Sequence, residues 1–312
     1  MGEHSAATTA VVDASALTRR FGPTTALDGA TFSVSAGVTG LLGANGAGKT
    51  TLLGLMLGLH RPDGGSIQVL GLDPTKAGAA VRSRIGYAPE HHRLPPDTRA
   101  HDFVRHIAQV HGLPKRDATN RASDALWSVG LGEERFRPIG TMSTGQRQRV
   151  KLAQAIAHDP DLVLLDEPTD GLDPVQRDDM LALIRRIGTE FGIHVVVSSH
   201  LLEEVERICD AAVILRAGQV AASGSMHELT GKGRGVLLEV DERADEVVGR
   251  LILMGLEATL DGSRIVIANP PDRPLGTAHD AARDAVAEAG VGIRRLSDRT
   301  VSLEDVFLEV GA

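Results

Sequence analysis

Cysteine is nearly missing from this 312-residue chain: Cys209 stands alone. No internal disulfide can form, so the core must hold the fold, as expected in a reducing compartment. Aromatic residues are scarce at 3%, which argues against a base-stacking surface for nucleic acid. Positive charge is also short. Lys and Arg number 33 against 41 Asp and Glu, a net charge of −8, whereas a nucleic-acid binder carries a basic face. No apolar run approaches the roughly 18 residues needed to cross a bilayer. The start, Met1-Gly2-Glu3-His4, lacks the basic and apolar regions of a signal peptide. A role at a membrane would therefore need another protein to hold the chain there.

Hydrophobic residues make up 42%, enough for one sizeable core and a second, smaller one. Met1 to Ala10 reads as a frayed terminus. Val11 opens a strand-like pattern that turns at Gly22-Pro23, and a second surrounds Thr31 to Val34. Val38 to Leu42 is a short apolar run ending in a glycine-rich loop. Thr50 to Leu59 reads as a helix, stopped by Pro62 and Gly64-Gly65. From His91 to Gly140 strand signals fade. Phe103, Ile107 and Val110 fall at helical spacing, which predicts a helical insert.

Alternation then resumes. Gln146 to His158 reads as helix and Leu162 to Leu165 as buried strand. Asp173-Pro174 opens a helix, with Asp as N-cap and Pro in the first turn. His194 to Ser198 reads as strand, Leu201 to Cys209 as helix and Ala211 to Arg216 as strand. Continuous apolar strands alternating with helices predict a parallel sheet covered on both faces. Gly231 to Gly235 reads as a linker. Beyond it the order strand, helix, strand, strand, helix, strand and final helix predicts a small ferredoxin-like α+β domain at 235–312.

Two motifs carry chemistry. Gly43-Ala44-Asn45-Gly46-Ala47-Gly48-Lys49-Thr50 fits G-x-x-x-x-G-K-[ST], after an apolar strand and opening a helix. Its glycines let backbone N–H groups turn inward around phosphate oxygens, and the helix N-terminus adds partial positive charge. Lys49 can reach the β- and γ-phosphates, and the Thr50 hydroxyl can ligate Mg²⁺. Second, Leu162 to Leu165 ends in Asp166-Glu167. Strand C-termini in a parallel sheet border the ligand crevice. Asp166 fits a Mg²⁺ ligand and Glu167 a base for the attacking water.

Three further segments narrow the reading: Met142-Ser143-Thr144-Gly145-Gln146 before a helix, Glu167-Pro168-Thr169-Asp170-Gly171-Leu172-Asp173-Pro174, and Ser198-Ser199-His200 closing a strand. With the two motifs above, in this order, the chain resembles the ATP-binding cassette family over 11–230. The resemblance implies a P-loop NTPase ABC ATPase fold, a mixed sheet core plus a helical subdomain at about 91–145. It implies ATP and Mg²⁺ as ligands. Phe21, Gly43 to Thr50, Thr51, Ser143, Gly145, Gln146 and Asp173 would contact nucleotide. Glu167, His200 and Lys49 would act in catalysis, and Thr50, Glu90 and Asp166 would hold the metal. Thr144 and Met142 depart from the family's usual L-S-G-G-Q, and Glu90 stands where many members have glutamine.

Val301-Ser302-Leu303-Glu304-Asp305-Val306-Phe307 resembles the C-terminal accessory domain of the daunorubicin and multidrug exporter branch. That likeness implies the motor subunit of a membrane exporter. Such a subunit would pair head to tail with a second copy or a related cassette. It would work on a separate integral-membrane permease, at the cytoplasmic face of the cell membrane. The alternative is a soluble cassette ATPase acting on ribosomes or DNA; a single cassette, no long heptad insertion and the acidic balance disfavour it. A GTPase would want an N-K-x-D motif, which the sequence lacks.

Overall fold

The structure is a computed structural model that describes residues 10–91, 94–231, 235–262, 264–268, 276–299 and 302–309. The chain divides into two compact units between Ser225 and Met226. In the first, the strands are β1 (Val12–Phe21), β2 (Thr24–Val34), β3 (Val38–Leu42), β4 (Gly64–Val69), β5 (Ile85–Ala88), β6 (Leu162–Asp166), β7 (His194–Ser199), β8 (Ala211–Arg216) and β9 (Gln219–Ser225). The helices are α1 (Lys49–Met56), α2 (Gly78–Arg82), α3 (Ala100–Val110), α4 (Lys115–Ser128), α5 (Thr144–Ile156), α6 (Pro174–Glu190) and α7 (Leu202–Ile208).

Six strands form one sheet in the order β5-β6-β7-β3-β8-β9. All neighbours are parallel except β9, which runs antiparallel to β8. Every residue of β3 and β6 is buried, which explains why neither strand alternates apolar with polar residues. A separate antiparallel sheet has the order β2-β1-β4. Leu52, Leu53 and Leu55 of α1 share one cluster with Leu17 and Leu27 of that sheet and with Leu41, Leu162 and Val196 of the larger one. Helix α1 is therefore enclosed by both.

The second sheet and strands β4, β5 and β9 go beyond the sequence reading. In β4 only Ile67 and Val69 are buried, and Gly64-Gly65 hides the strand behind a turn signal. Strand β9 holds no fully buried residue and is defined by its backbone pairing to β8.

The insert between β5 and β6 is helical, as expected, but its buried face differs. Ala100, Phe103, Val104 and Ala108 face inward, while Val110 is 68% exposed. Helix α4 turns Ala118, Ala122, Ala125 and Leu126 to the interior, and α3 and α4 pack on each other. The packing partner, and not periodicity alone, decides which face of α3 is covered.

The second unit contains α8 (Met226–Gly231), β10 (Gly235–Val240), α9 (Ala244–Leu253), β11 (Ala258–Asp261), β12 (Arg264–Ala268), α10 (Gly276–Ala289), β13 (Ile293–Arg299) and α11 (Leu303–Glu309). Its sheet has the order β11-β12-β10-β13, all antiparallel, the arrangement of a split βαβ, ferredoxin-like domain. Val236, Leu238, Ile265 and Ile267 pack with Val247 and Leu251 of α9 and Ala278, Ala282 and Ala285 of α10. Residues 232–234 of the expected linker and Val301 lie outside the described residues. Among the described residues, no helix is long and apolar enough to cross a membrane.

Candidate active site

Strand order places the chemistry. The C-terminal ends of β6, β7 and β3 lie side by side. Register pairs Asp166 with Ser198 and Leu42 with Ser199. The loop after β3 leads into α1, the loop after β6 carries Glu167, and β7 hands on to His200.

The glycine-rich loop closes on itself through the Ala47 N–H, which donates to Ala44 O at 3.0 Å. Gly48 precedes α1 in a left-handed conformation, φ 108°. A Cβ there would lie 2.6 Å from the backbone oxygen of Ala26. Both facts demand glycine. Lys49 is buried, and its Nζ donates to Gly43 O at 2.7 Å. The same nitrogen lies 3.2 Å from Glu167 Oε1.

Glu167 is 7% exposed and adopts φ 48°, a conformation that L-residues rarely hold. Its backbone N–H donates to Ser198 Oγ at 3.0 Å. Its second carboxylate oxygen, Oε2, lies 2.9 Å from His200 Nδ1. Thr50 Oγ1 donates to Asp166 Oδ2 at 3.1 Å, and Ser198 Oγ donates to Asp166 Oδ1 at 2.6 Å. Lys49, Thr50, Asp166, Glu167, Ser198 and His200 thus form one connected network.

A second cluster lies around two helix starts. Ser143 caps α5: its Oγ accepts from the Gln146 N–H at 3.2 Å, and Gln146 Oε1 accepts from the Ser143 N–H at 3.1 Å. Asp173 caps α6, accepting from the Gln176 N–H at 2.9 Å. A Cβ on Gly145 would meet Gln176 Oε1 at 2.7 Å, so the two helix N-termini adjoin. Among the described residues, no hydrogen bond or ion pair joins Ser143, Gly145, Gln146 or Asp173 to the network around Lys49.

Within the loop, Ala44, Asn45 and Gly46 are exposed, and Thr51 behind it is half-buried. Phe21 is 42% exposed, edge-on to His60, with the Arg19 guanidinium 4.6 Å from its ring centre. Glu90 pairs with His91 at 3.0 Å. Among the described residues, no hydrogen bond or ion pair brings Glu90 to Thr50 or Asp166, although Glu90 and Asp166 both act on Tyr87. Burial, then the Asp166 and Glu90 charges, pushes that phenol up to about 12.

The family model described as ABC transporter matches residues 27–170. The Nod factor export ATP-binding protein I of Ralstonia nicotianae is 32% identical, over 97% of this chain and 94% of that protein. The chain belongs to the ABC transporter family. A daunorubicin resistance ATP-binding protein of Streptomyces coeruleorubidus is 32% identical over 94% of this chain and 93% of its own length. Among solved structures, cbiO1 from Clostridium perfringens, part of the ABC transporter complex cbiONQ, is 27% identical. It covers 70% of this chain and 90% of its own, with a TM-score of 0.64. This ABC protein is an ATP-binding subunit with the ATP-hydrolysing cassette fold.

Several site features lay beyond sequence reasoning. Glu204 is buried and bonded to Thr169 and Ser199. Lys151 Nζ donates to Glu90 O at 2.7 Å, and Gln154 Nε2 donates to Tyr87 O at 2.6 Å, tying α5 to β5 and to the segment that follows it. Glu204 sits among Glu203 and Glu206 in one short helix, and spacing does not tell which of the three turns inward.

Proposed function

We propose that this ABC protein is the ATPase subunit of a membrane exporter. It would act as a head-to-tail pair at the cytoplasmic face of the membrane and drive a separate permease. The observation that supports it most is the pairing of Glu167 with both Lys49 and His200, beside Thr50 and Asp166. In the proposed reaction the loop N–H groups and Lys49 hold the β- and γ-phosphates. Lys49 exchanges Glu167 Oε1 for phosphate oxygen and frees that carboxylate oxygen. Glu167 takes a proton from water as the water oxygen attacks the γ-phosphorus. The bond to the β–γ bridging oxygen breaks, leaving ADP and phosphate. His200 holds Glu167 through Oε2.

Thr50 and Asp166 offer hard oxygen donors that suit Mg²⁺, which keeps few protein ligands beside phosphates and waters. When bound, that ion would neutralise charge on the β- and γ-oxygens. Glu90 belongs to the proposed set only through its charge near Tyr87. Phe21, partly exposed beside Arg19, is proposed to meet the base.

Pairing rests on the two separate clusters. Ser143 and Asp173 cap helices whose N-termini suit a phosphate, yet neither contacts Lys49 in its own chain. A phosphate held by the glycine-rich loop of a partner chain would meet them. Export is supported by relatives that match along both units, and residues 235–312 are proposed as the exporter-type accessory domain. The permease supplies membrane attachment.

The test is Glu167→Gln. ATP hydrolysis should fall by about 10²–10⁴-fold while ATP still binds, as for loss of a general base. Light scattering should then show an ATP-dependent doubling of mass. Hydrolysis within about threefold of the parent would remove Glu167 from the role. Co-purification with an integral-membrane protein encoded nearby tests the permease.

A further inference from the structure

Glu204 takes no part in the chemistry above. It lies in the first turn of α7 and is 6% exposed, while Glu203 and Glu206 face solvent. A buried carboxylate needs hydrogen-bond donors or a partner charge to offset the water it loses. Here the donors come from two loops. Thr169 Oγ1 donates to Glu204 Oε2 at 2.9 Å, and Ser199 Oγ donates to the same oxygen at 2.8 Å. Thr169 follows Glu167 by two residues, and Ser199 immediately precedes His200. The Leu201 N–H donates to Ser199 Oγ at 3.0 Å, closing the turn that presents His200. Glu204 Oε1 lies 3.3 Å from Arg177 Nε of α6.

One buried oxygen is therefore the common acceptor for the loop of the base and the loop of its histidine. We infer that Glu204 is a positioning residue for hydrolysis: by tying Thr169 to Ser199 it sets the Glu167–His200 contact. It touches no phosphate. The inference rests on the proposed role of Glu167. Its physical basis is that small misplacements of a reacting group, near 1 Å, cost about 10²-fold in rate.

The experiment is steady-state Mg-ATP hydrolysis by the full chain, expressed per nucleotide-binding chain. Glu204→Met matches the side chain's size and removes both acceptors. Glu204→Gln keeps one oxygen that can accept both hydroxyls and loses the ion pair with Arg177. Thr169→Val with Ser199→Ala removes the donors and leaves Glu204 in place. We expect kcat to fall about tenfold or more in Glu204→Met, with KM for ATP within about threefold of the parent. Glu204→Gln should restore kcat to within about threefold. The double hydroxyl variant should reproduce the loss, and adding Glu204→Met to it should cost no more than about twofold again.

A purely structural carboxylate would lower the fraction of chains that bind nucleotide and leave kcat per binding chain unchanged. That result, in Glu204→Met or, if it does not fold, in the hydroxyl variant, overturns the inference. So does a Glu204→Gln variant as slow as Glu204→Met, which would assign the effect to Arg177. Glu167→Gln is measured alongside. Hydrolysis indifferent to Glu167→Gln overturns the proposed base; hydrolysis sensitive to it but indifferent to Glu204→Met overturns only the positioning role.

Discussion

Glu167 Oε2 lies 2.9 Å from His200 Nδ1, across adjacent strand ends thirty-three residues apart in sequence. With Nδ1 carrying the proton, the imidazole donates to the carboxylate and leaves Oε1 to Lys49. The two oxygens of one acid thus have different partners, one fixed by a strand end and one shared with the lysine of the phosphate loop.

That division predicts unequal losses. His200→Ala should slow hydrolysis by about tenfold or more, yet less than Glu167→Gln, since it loosens the base without removing it. ATP affinity should stay within about threefold, measured by equilibrium binding. Losses in the opposite order would move the base role to His200.

Gly48 carries a second prediction. Alanine there must adopt φ 108° with its Cβ 2.6 Å from Ala26 O. Backbone against backbone has little room to yield, so Gly48→Ala should cost about 1–3 kcal/mol. For a unit of this size that lowers Tm by about 2–10 °C in a thermal scan. Nucleotide affinity should fall with it, because the loop and the start of α1 move together. An unchanged Tm would show that the loop relaxes without cost.

Head-to-tail pairing can be read by crosslinking. Ala47 of the phosphate loop and Met142 before α5 are buried, at 5% and 3% exposure, and are poorly placed for a probe. Asn45 and Thr144 are exposed neighbours of each. With Cys209→Ser, Glu167→Gln, Asn45→Cys and Thr144→Cys combined, a short bismaleimide should link two chains much faster with Mg-ATP than without. Links confined within single chains, or indifferent to nucleotide, would sink the pairing.

Acid should act on the helical insert through two histidines. His111, which ends α3, and His158, which follows α5, stack with ring centres 3.6 Å apart. Burial, then the neighbouring His111, lowers His158 to about 4; burial lowers His111 as well. The unfolded chain therefore binds more protons between about pH 6.5 and 4. The neutral stack contributes stability that is present above about pH 6.5 and lost as pH falls toward 4, ~3 kcal/mol at the most. His158→Gln should flatten the fall in Tm between pH 7 and 5 relative to the parent. Parallel curves would show that the stack does not set acid sensitivity.

Local chemistry determined much of this protein before any folding. The phosphate loop was legible because Gly48, Lys49 and Thr50 must be adjacent to wrap a phosphate and open a helix. Asp166-Glu167 was legible because a buried apolar strand ending in two acids is a local pattern. The caps at Ser143 and Asp173 are likewise contained within four residues. What tertiary structure alone decided is pairing at a distance. Strand order β6-β7-β3 puts Ser198 on Asp166 and His200 on Glu167, and strands buried on both faces show no alternation from which their register could be read. The buried face of α3, which takes in Phe103, Val104 and Ala108 but not Val110, depended on the helix packed against it. The inward turn of Glu204, but not Glu203 or Glu206, depended on two hydroxyls from other loops arriving to match its charge. A carboxylate can be buried only where donors meet it, and those donors come together only in the folded chain.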